Sequence, residues 1–385
     1  MKLIINTSNL YVGGGLQVAL SFINELREIK STHEYHIFLS QATDKQIDKS
    51  LFSDNFHFYL INRSPASLKT RKQIVAQLNA LEEEIKPDVV FSVFGPSYWK
   101  PKAKHVMGFA DGWVYNPESV AYSRLPLFRR LKMRLHGKYK SYYLKKDAEF
   151  FVVETNDAKN KLTNVVGLSK SNIFVVGNTY SKIFDDENYV NPDNESYLHL
   201  PAKEDDEFRL VYIAHNHANK NLQVINEVIP LLENHNVKFV LTLDEQSYQG
   251  IFPTPTEHII DLGPIAQNAC PSVYAQSDAL FAPTLLETFS AAYPEAMKME
   301  KPILTSGYSF ARDICQDAAI YFDPLNPKEI AKKIITLKEN KTLQKELILK
   351  GKERLQSFET ATSRAEKYIT LCENILQGET KNVQK

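Results

Sequence analysis

The chain of 385 residues is sparing with the residue types that would commit it to a special environment. It has three cysteines, Cys270, Cys315 and Cys372, an odd number at wide spacing, which excludes a disulfide framework and a CxxC metal pair and points to a reduced compartment. No stretch approaches the roughly 20 apolar residues that span a bilayer. At the start, MKLIINTSNLYVGGG, Asn6, Asn9 and three glycines interrupt any apolar signal core, so a cytoplasmic location is expected. The ten histidines show no HExxH; His215 and His217 lack a third ligand, and no metal is expected. Walker loops and Gly-x-Ser-x-Gly elbows are absent as well. Net charge is zero, but only as a sum. Residues 1–180 hold 25 Lys or Arg against 16 Asp or Glu, and residues 181–385 hold 21 against 30, so halves of +9 and −9 cancel. A basic first half leaves an anionic partner open; no nucleic-acid module accompanies it, and no nucleic acid is expected.

Apolar residues make up 43% and charged residues 24%, enough for a core, and the length suits two domains. Short apolar runs alternate with amphipathic segments, the pattern of parallel sheets covered by helices. In the first half the expected strands are residues 2–7, 35–39, 89–93, 105–109, 150–153 and 173–176, with a glycine turn at 13–15 and a helix over 16–29. The pattern fails in DDENYVNPDNESYLHLPAKEDDE, which predicts a linker over 181–207. A second series follows: strands at 208–214, 238–243, 259–262, 279–282, 302–305 and 319–322, with helices near 221–232, 271–275, after Pro294 and from Pro327 onward. The domain reading is 1–180, linker 181–207, 208–358, and a C-terminal helix with its tail over 359–385 that packs back towards the first domain. The last residues, GETKNVQK, read as a frayed terminus.

Chemistry concentrates in PTLLETFSAAYPEAMKMEKPILTS, residues 283–306. Glu287 follows a strand, Glu295 lies eight positions later, and the small residues between feed a helix that Pro294 suits as a first turn. Free N–H groups at such a helix start favour a diphosphate, and ionised glutamates accept hydrogen bonds from sugar hydroxyls. Two glutamates near a helix start also occur merely as a solvated face. The whole segment, with Lys-Pro-Ile-Leu and Ala-Ala-Ile-Tyr-Phe-Asp-Pro behind it, resembles the donor domain of retaining glycosyltransferases, most closely glycosyltransferase family 4 with its GT-B fold.

That resemblance implies an α/β fold of two Rossmann-like domains facing a central cleft. It implies transfer of a hexosyl residue from a nucleoside-diphosphate sugar to a saccharide or lipid-linked acceptor with retention, in cell-surface polysaccharide or lipopolysaccharide synthesis, without metal or cofactor. By likeness Glu287 faces the donor sugar, Glu295 holds the ribose, and the amides of Phe289, Ser290 and Ala291 hold the phosphates. In FRLVYIAHNHANKNLQ, Lys220 takes the place of the family's phosphate-binding lysine, and His215 stands where the family has arginine. Gly14 and Gly15 correspond to the family's glycine turn, which lets the backbone approach the donor. In HVMGFADGWVYNP the usual histidine is replaced by Ala110, leaving Asp111 to orient hydroxyls or simply to make an Asp-Gly turn.

Residues 124–146, RLPLFRRLKMRLHGKYKSYYLKK, carry nine Lys or Arg and no acid, interleaved with leucines and aromatics. This is the composition of an interfacial helix on an anionic membrane, which would make the protein peripheral at the inner face; an ordinary helix with its apolar side in the core is the alternative. Other functions compatible with the motifs are a GT-B sugar-nucleotide epimerase, a nicotinamide-dependent oxidoreductase, which the Gly-Gly-Gly spacing disfavours, and a non-catalytic sugar-binding or scaffold relative.

Overall fold

The computed structural model describes residues 1–379, and the chain divides into two compact units. Residues 380–385, part of the expected frayed terminus, lie outside the described residues. Unit 1 comprises Met1–Pro117, Phe128–Asn178 and the chain from Glu359 onward; unit 2 comprises Glu118–Leu127 and Thr179–Phe358. Among the described residues, no helix is long and apolar enough to cross a membrane.

Unit 1 is built on seven strands: β1 (Lys2–Asn6), β2 (Glu34–Leu39), β3 (Phe56–Leu60), β4 (Val89–Ser92), β5 (Lys104–Gly108), β6 (Phe150–Val153) and β7 (Ile173–Val175). Their order is β3-β2-β1-β4-β5-β6-β7 with every pair parallel. Such a sheet is covered on both faces, which is why β1 and β4 are near-continuous apolar runs. The helix Gly14–Glu28 buries Leu16, Leu20, Ile23 and Leu26. Across from it packs the last helix, Ala361–Gln377, with Phe22 and Tyr368 edge to face at 5.1 Å. Tyr368, Leu371, Cys372 and Ile375 belong to the same core as Leu3, Ile5 and Phe91. Buried Arg364 fixes the return, donating to the Asn178 amide oxygen and to Ser21 Oγ.

Unit 2 holds β8 (Phe208–Tyr212), β9 (Val237–Leu241), β10 (Ile259–Asp261), β11 (Ala279–Ala282), β12 (Ile303–Ser306) and β13 (Ile320–Phe322), ordered β10-β9-β8-β11-β12-β13 and again all parallel. In both sheets the order reverses direction beside the first strand, between β1 and β4 and between β8 and β11. Doubly wound sheets bind ligands at such switch points, beyond the carboxyl ends of the strands.

Three features depart from the sequence expectations. The stretch read as a linker over 181–207 is packed into unit 2, because Phe184 and Leu200 enter its core and Arg209 pairs with Glu207 and reaches Pro201 O at 2.7 Å. The helix expected over 221–232 is broken into Val224–Val228 and a 3₁₀ turn Ile229–Leu231, where Pro230 supplies no N–H. Residues 118–127, drawn from the first half of the sequence, belong to unit 2.

Candidate functional site

Strands β8 and β11 lie side by side, so the loops leaving their carboxyl ends meet. The loop after β8 ends in a 3₁₀ turn, Ala218–Lys220, closed by Asn221 at φ 54°, a left-handed conformation that asparagine tolerates better than most residues. Asn221 is buried and its amide donates to Pro324 O at 3.0 Å. Asn219 then latches this loop to the one after β11. Its carbonyl accepts from Leu285 N at 2.6 Å, and its side chain donates to Leu286 O at 2.8 Å.

This latch brings Lys220 and Glu287 together, with Lys220 Nζ 2.5 Å from Glu287 Oε1. Thr284 Oγ1 lies 2.9 Å from the same carboxylate oxygen. Lys220 also sits over the Tyr212 ring, 5.8 Å from its centroid. Burial works against the lysine's charge, but the Glu287 carboxylate and Tyr212 outweigh it and hold the pKa above the ordinary value. Burial pushes the Tyr212 hydroxyl up to about 12. The site therefore keeps a cation beside a carboxylate at the switch point of the sheet.

The helix after Glu287 runs Ala292–Lys298, starting two residues before Pro294, which falls within the first turn instead of opening it. No side chain caps it at Ala291. Ser290 is buried and Phe289 packs edge-on to Phe358 at 6.2 Å, so Phe289, Ser290 and Ala291 form the entry to this helix. Glu295 lies one turn in, and its Oε2 accepts from Tyr274 Oη at 3.3 Å. Burial raises its carboxyl to about 7, with the Tyr274 hydrogen bond opposing. A carboxyl raised in the folded state lends stability that is complete below its ordinary value of 4.5 and is lost as pH rises through about 7. Glu295→Gln should therefore gain on the wild type as pH rises from about 4.5 to about 7, by on the order of 3 kcal/mol, with a constant difference above that. Urea melts of both proteins at a series of pH values measure this; a pH-independent difference removes the assignment.

His215 is exposed, its carbonyl accepting from His217 N at 2.9 Å and its ring 6.2 Å from that of His217. His217 is the histidine that senses the pair: burial lowers its pKa, with Lys220 adding to the effect and Glu287 opposing it. The sequence placed the arginine substitute at His215 by counting back from Lys220 and gave His217 no donor role. Asn219 and Thr284 were also missed, since their roles depend on contacts between β8 and β11 loops that are more than 60 residues apart in sequence; Tyr212, under Lys220, and Tyr274, on Glu295, were missed as well. The excursion from the first half adds to the same place. Its Ser119 Oγ donates to Leu285 O at 3.3 Å, and its 3₁₀ turn Val120–Arg124 packs on Ala218–Lys220.

In unit 1 the glycine turn leaves β1 at the other switch point. Gly13, at φ 77°, is the position whose backbone requires glycine; Gly14 has open space where a Cβ would stand, and at Gly15 a Cβ would come 3.2 Å from the Phe94 ring. Asp111 caps the short helix Gly112–Tyr115 through Trp113 N at 3.1 Å, and its other oxygen pairs with Lys140 Nζ at 2.5 Å. It acts as a turn and cap residue tied to the helix Leu127–Asp147. That helix buries only Leu144 and Asp147, leaving Phe128 79% and Leu131 59% exposed, with Leu127, Leu135 and Tyr142 exposed as well. Its apolar side is thus not core, contrary to the alternative reading of this segment. Tyr139 and Tyr143 instead hold Arg71, which donates to both hydroxyls at 2.5 and 2.9 Å.

The two doubly wound α/β units are those of the GT-B fold of glycosyltransferases. Residues 200–354 match the family model described as Glycosyl transferases group 1. No curated protein matches the chain. Solved structures similar in fold include a glycosyltransferase from Rickettsia africae ESF-5, at TM-score 0.71 and 14% identity over 98% of each chain. Anabaena HepE in complex with UDP and glucose gives 0.68 and 11%, covering 97% of this chain and 100% of that one. Sucrose-phosphate synthase from Thermosynechococcus elongatus gives 0.71 and 12%, covering 98% and 100%.

Proposed function

We propose that the protein is a retaining glycosyltransferase of family 4, moving a hexosyl residue from a nucleoside-diphosphate sugar to a saccharide or lipid-linked acceptor. The observation that carries this reading is the Lys220–Glu287 pair, set at the β8–β11 switch point inside the segment matched by the glycosyltransferase family model. The donor binds unit 2. Lys220, aided by His217 and His215, and the backbone amides of Phe289, Ser290 and Ala291 meet the diphosphate, and Glu295 accepts from the ribose. Glu287 receives the donor sugar's hydroxyls. As the bond between the anomeric carbon and the diphosphate oxygen breaks, Lys220 and the amides stabilise the charge on the departing nucleoside diphosphate by preorganised electrostatics. The acceptor hydroxyl adds from the face the diphosphate leaves and passes its proton to the departing diphosphate oxygen, which retains the anomeric configuration. Cations and amides neutralise the phosphates, so the chemistry asks for no metal or cofactor.

Unit 1 carries the acceptor side of the reaction, with Asp111 orienting hydroxyls, while its Gly14 and Gly15 let the backbone approach the donor. The exposed, cationic face of Leu127–Asp147 supports peripheral attachment to an anionic membrane at the cytoplasmic side, where a lipid-linked acceptor for cell-surface polysaccharide or lipopolysaccharide would be met. The test is a panel of nucleoside-diphosphate sugars, begun with UDP-glucose because HepE binds UDP and glucose. Thermal shift should show at least one binder, since a ligand of the folded state raises apparent stability. Product analysis with and without acceptor then follows. Conversion of the donor alone to an epimer would replace transfer by epimerisation, and binding with neither transfer nor hydrolysis would leave a sugar-binding relative.

A further inference from the structure

The sequence shows no metal spacing, yet the fold assembles three ligand-type side chains on one face of the outer strands of unit 1. Glu34 opens β2 and His36 lies two residues on, hence on the same face. The parallel register sets His57 of β3 opposite His36, and the two rings stack at 4.8 Å. One ligand atom from each of Glu34, His36 and His57 lies within 4.8 Å of the others. Glu34 Oε1 is 2.9 Å from His36 Nε2 and 3.6 Å from His57 Nε2. Zinc held at about 2.0–2.2 Å from nitrogen and oxygen ligands in a tetrahedron separates them by about 3.3 Å; the two edges from Glu34 bracket that value, and the third, between the histidines, lies within 4.8 Å.

We propose that Glu34, His36 and His57 bind one divalent transition-metal ion of the zinc class, with the fourth position open to water. Two imidazoles and one carboxylate are a borderline ligand set that suits Zn²⁺ better than Mg²⁺ or Ca²⁺. The support behind the ligands is also present. Tyr59 Oη lies 3.1 Å from His36 Nδ1 and its ring stacks beside the imidazole, so an Nδ1–H donated to it leaves the Nε2 lone pair on the side of Glu34. Such outer partners orient metal-binding histidines and raise their basicity. Lys2 Nζ stands 3.7 Å from Glu34 Oε2, the carboxylate oxygen the ion leaves over. Glu34 and His57 are partly exposed, which gives the ion an entry path, while His36 is buried and fixed.

The place of the site decides its role. Glu34 and His57 lie at the amino ends of β2 and β3, the end of the sheet opposite the glycine turn that follows β1. The ion would clasp the edge strand β3 to β2 and take no part in sugar transfer. The test uses the full chain stripped with a chelator and titrated with Zn²⁺ alone by calorimetry, with Co²⁺ as a spectroscopic probe. One ion per chain is expected, with the visible d–d bands of tetrahedral cobalt and a thermal midpoint raised by Zn²⁺. Glu34→Gln and His57→Gln, at partly exposed positions and checked for folding by circular dichroism, should each weaken binding tenfold or more; Tyr59→Phe should weaken it by about tenfold. Absence of uptake overturns the proposal, and so does affinity unchanged from the wild type in both variants, which would put the ion elsewhere, for instance on Cys270.

Discussion

Lys220→Ala should lower kcat/KM for the sugar nucleotide by about 30- to 1,000-fold, the equivalent of about 2–4 kcal/mol of lost transition-state stabilisation. Lys220 pairs with Glu287 at 2.5 Å. On the proposed function, a bound diphosphate would compete for that cation and free the Glu287 carboxylate for sugar hydroxyls. Because Lys220 is held above its ordinary pKa, it stays charged across any practical assay range, and the pH profile of kcat should carry no step from its titration. The substitution also strands Glu287, whose Oε1 would keep only Thr284, so some loss of stability accompanies the kinetic defect. Circular dichroism in the assay buffer separates the two. A folded Lys220→Ala protein with near-normal turnover would remove Lys220 from the chemistry.

Attachment to anionic vesicles should fall by more than 100-fold when Phe128, Leu131 and Leu135 are changed together to glutamine. These residues lie on one side of the helix Leu127–Asp147 at spacings of three and four, and all are exposed. Each buried Leu or Phe is worth about 1.5–3 kcal/mol, so even partial insertion of three exceeds about 3 kcal/mol. The cations between them, Arg129, Arg130, Lys132 and Arg134, and Lys138 just beyond, would each add about 1 kcal/mol of attraction to anionic lipid, a contribution that salt screens. Co-sedimentation with anionic and neutral vesicles at low and high salt measures both parts. Equal binding of variant and wild type would return this face to ordinary solvent exposure.

Much of the fold was legible because parallel strands buried on both faces are short apolar runs with little ambiguity: all six strands of unit 2 and six of the seven in unit 1 fall where those runs fall. Strand β3 escaped detection since FHFYL is aromatic at most positions and half exposed at a sheet edge, which leaves no clear alternation. The late start of the helix after Lys220 follows from Asn221 at positive φ, a conformation that composition does not announce. Lys220 and Glu287 were found separately, each by its place after a strand; that they touch is a property of the β8–β11 pairing. The Glu34, His36 and His57 cluster is hidden for the same reason, since its third member comes from the strand the sequence did not reveal.

The return of the chain to unit 1 has a consequence for the order of folding. Tyr368, Leu371, Cys372 and Ile375 fill the core beside β1 and β4, yet they are synthesised after all of unit 2. A ribosome adding about 5–20 residues per second leaves the amino-terminal half waiting for the last helix while the second half already has every strand it needs. The half made first is the half completed last, with the groove beneath Ala361–Gln377 left uncovered in the interval, and its Phe22 and Phe91 are what a chaperone would find exposed during synthesis.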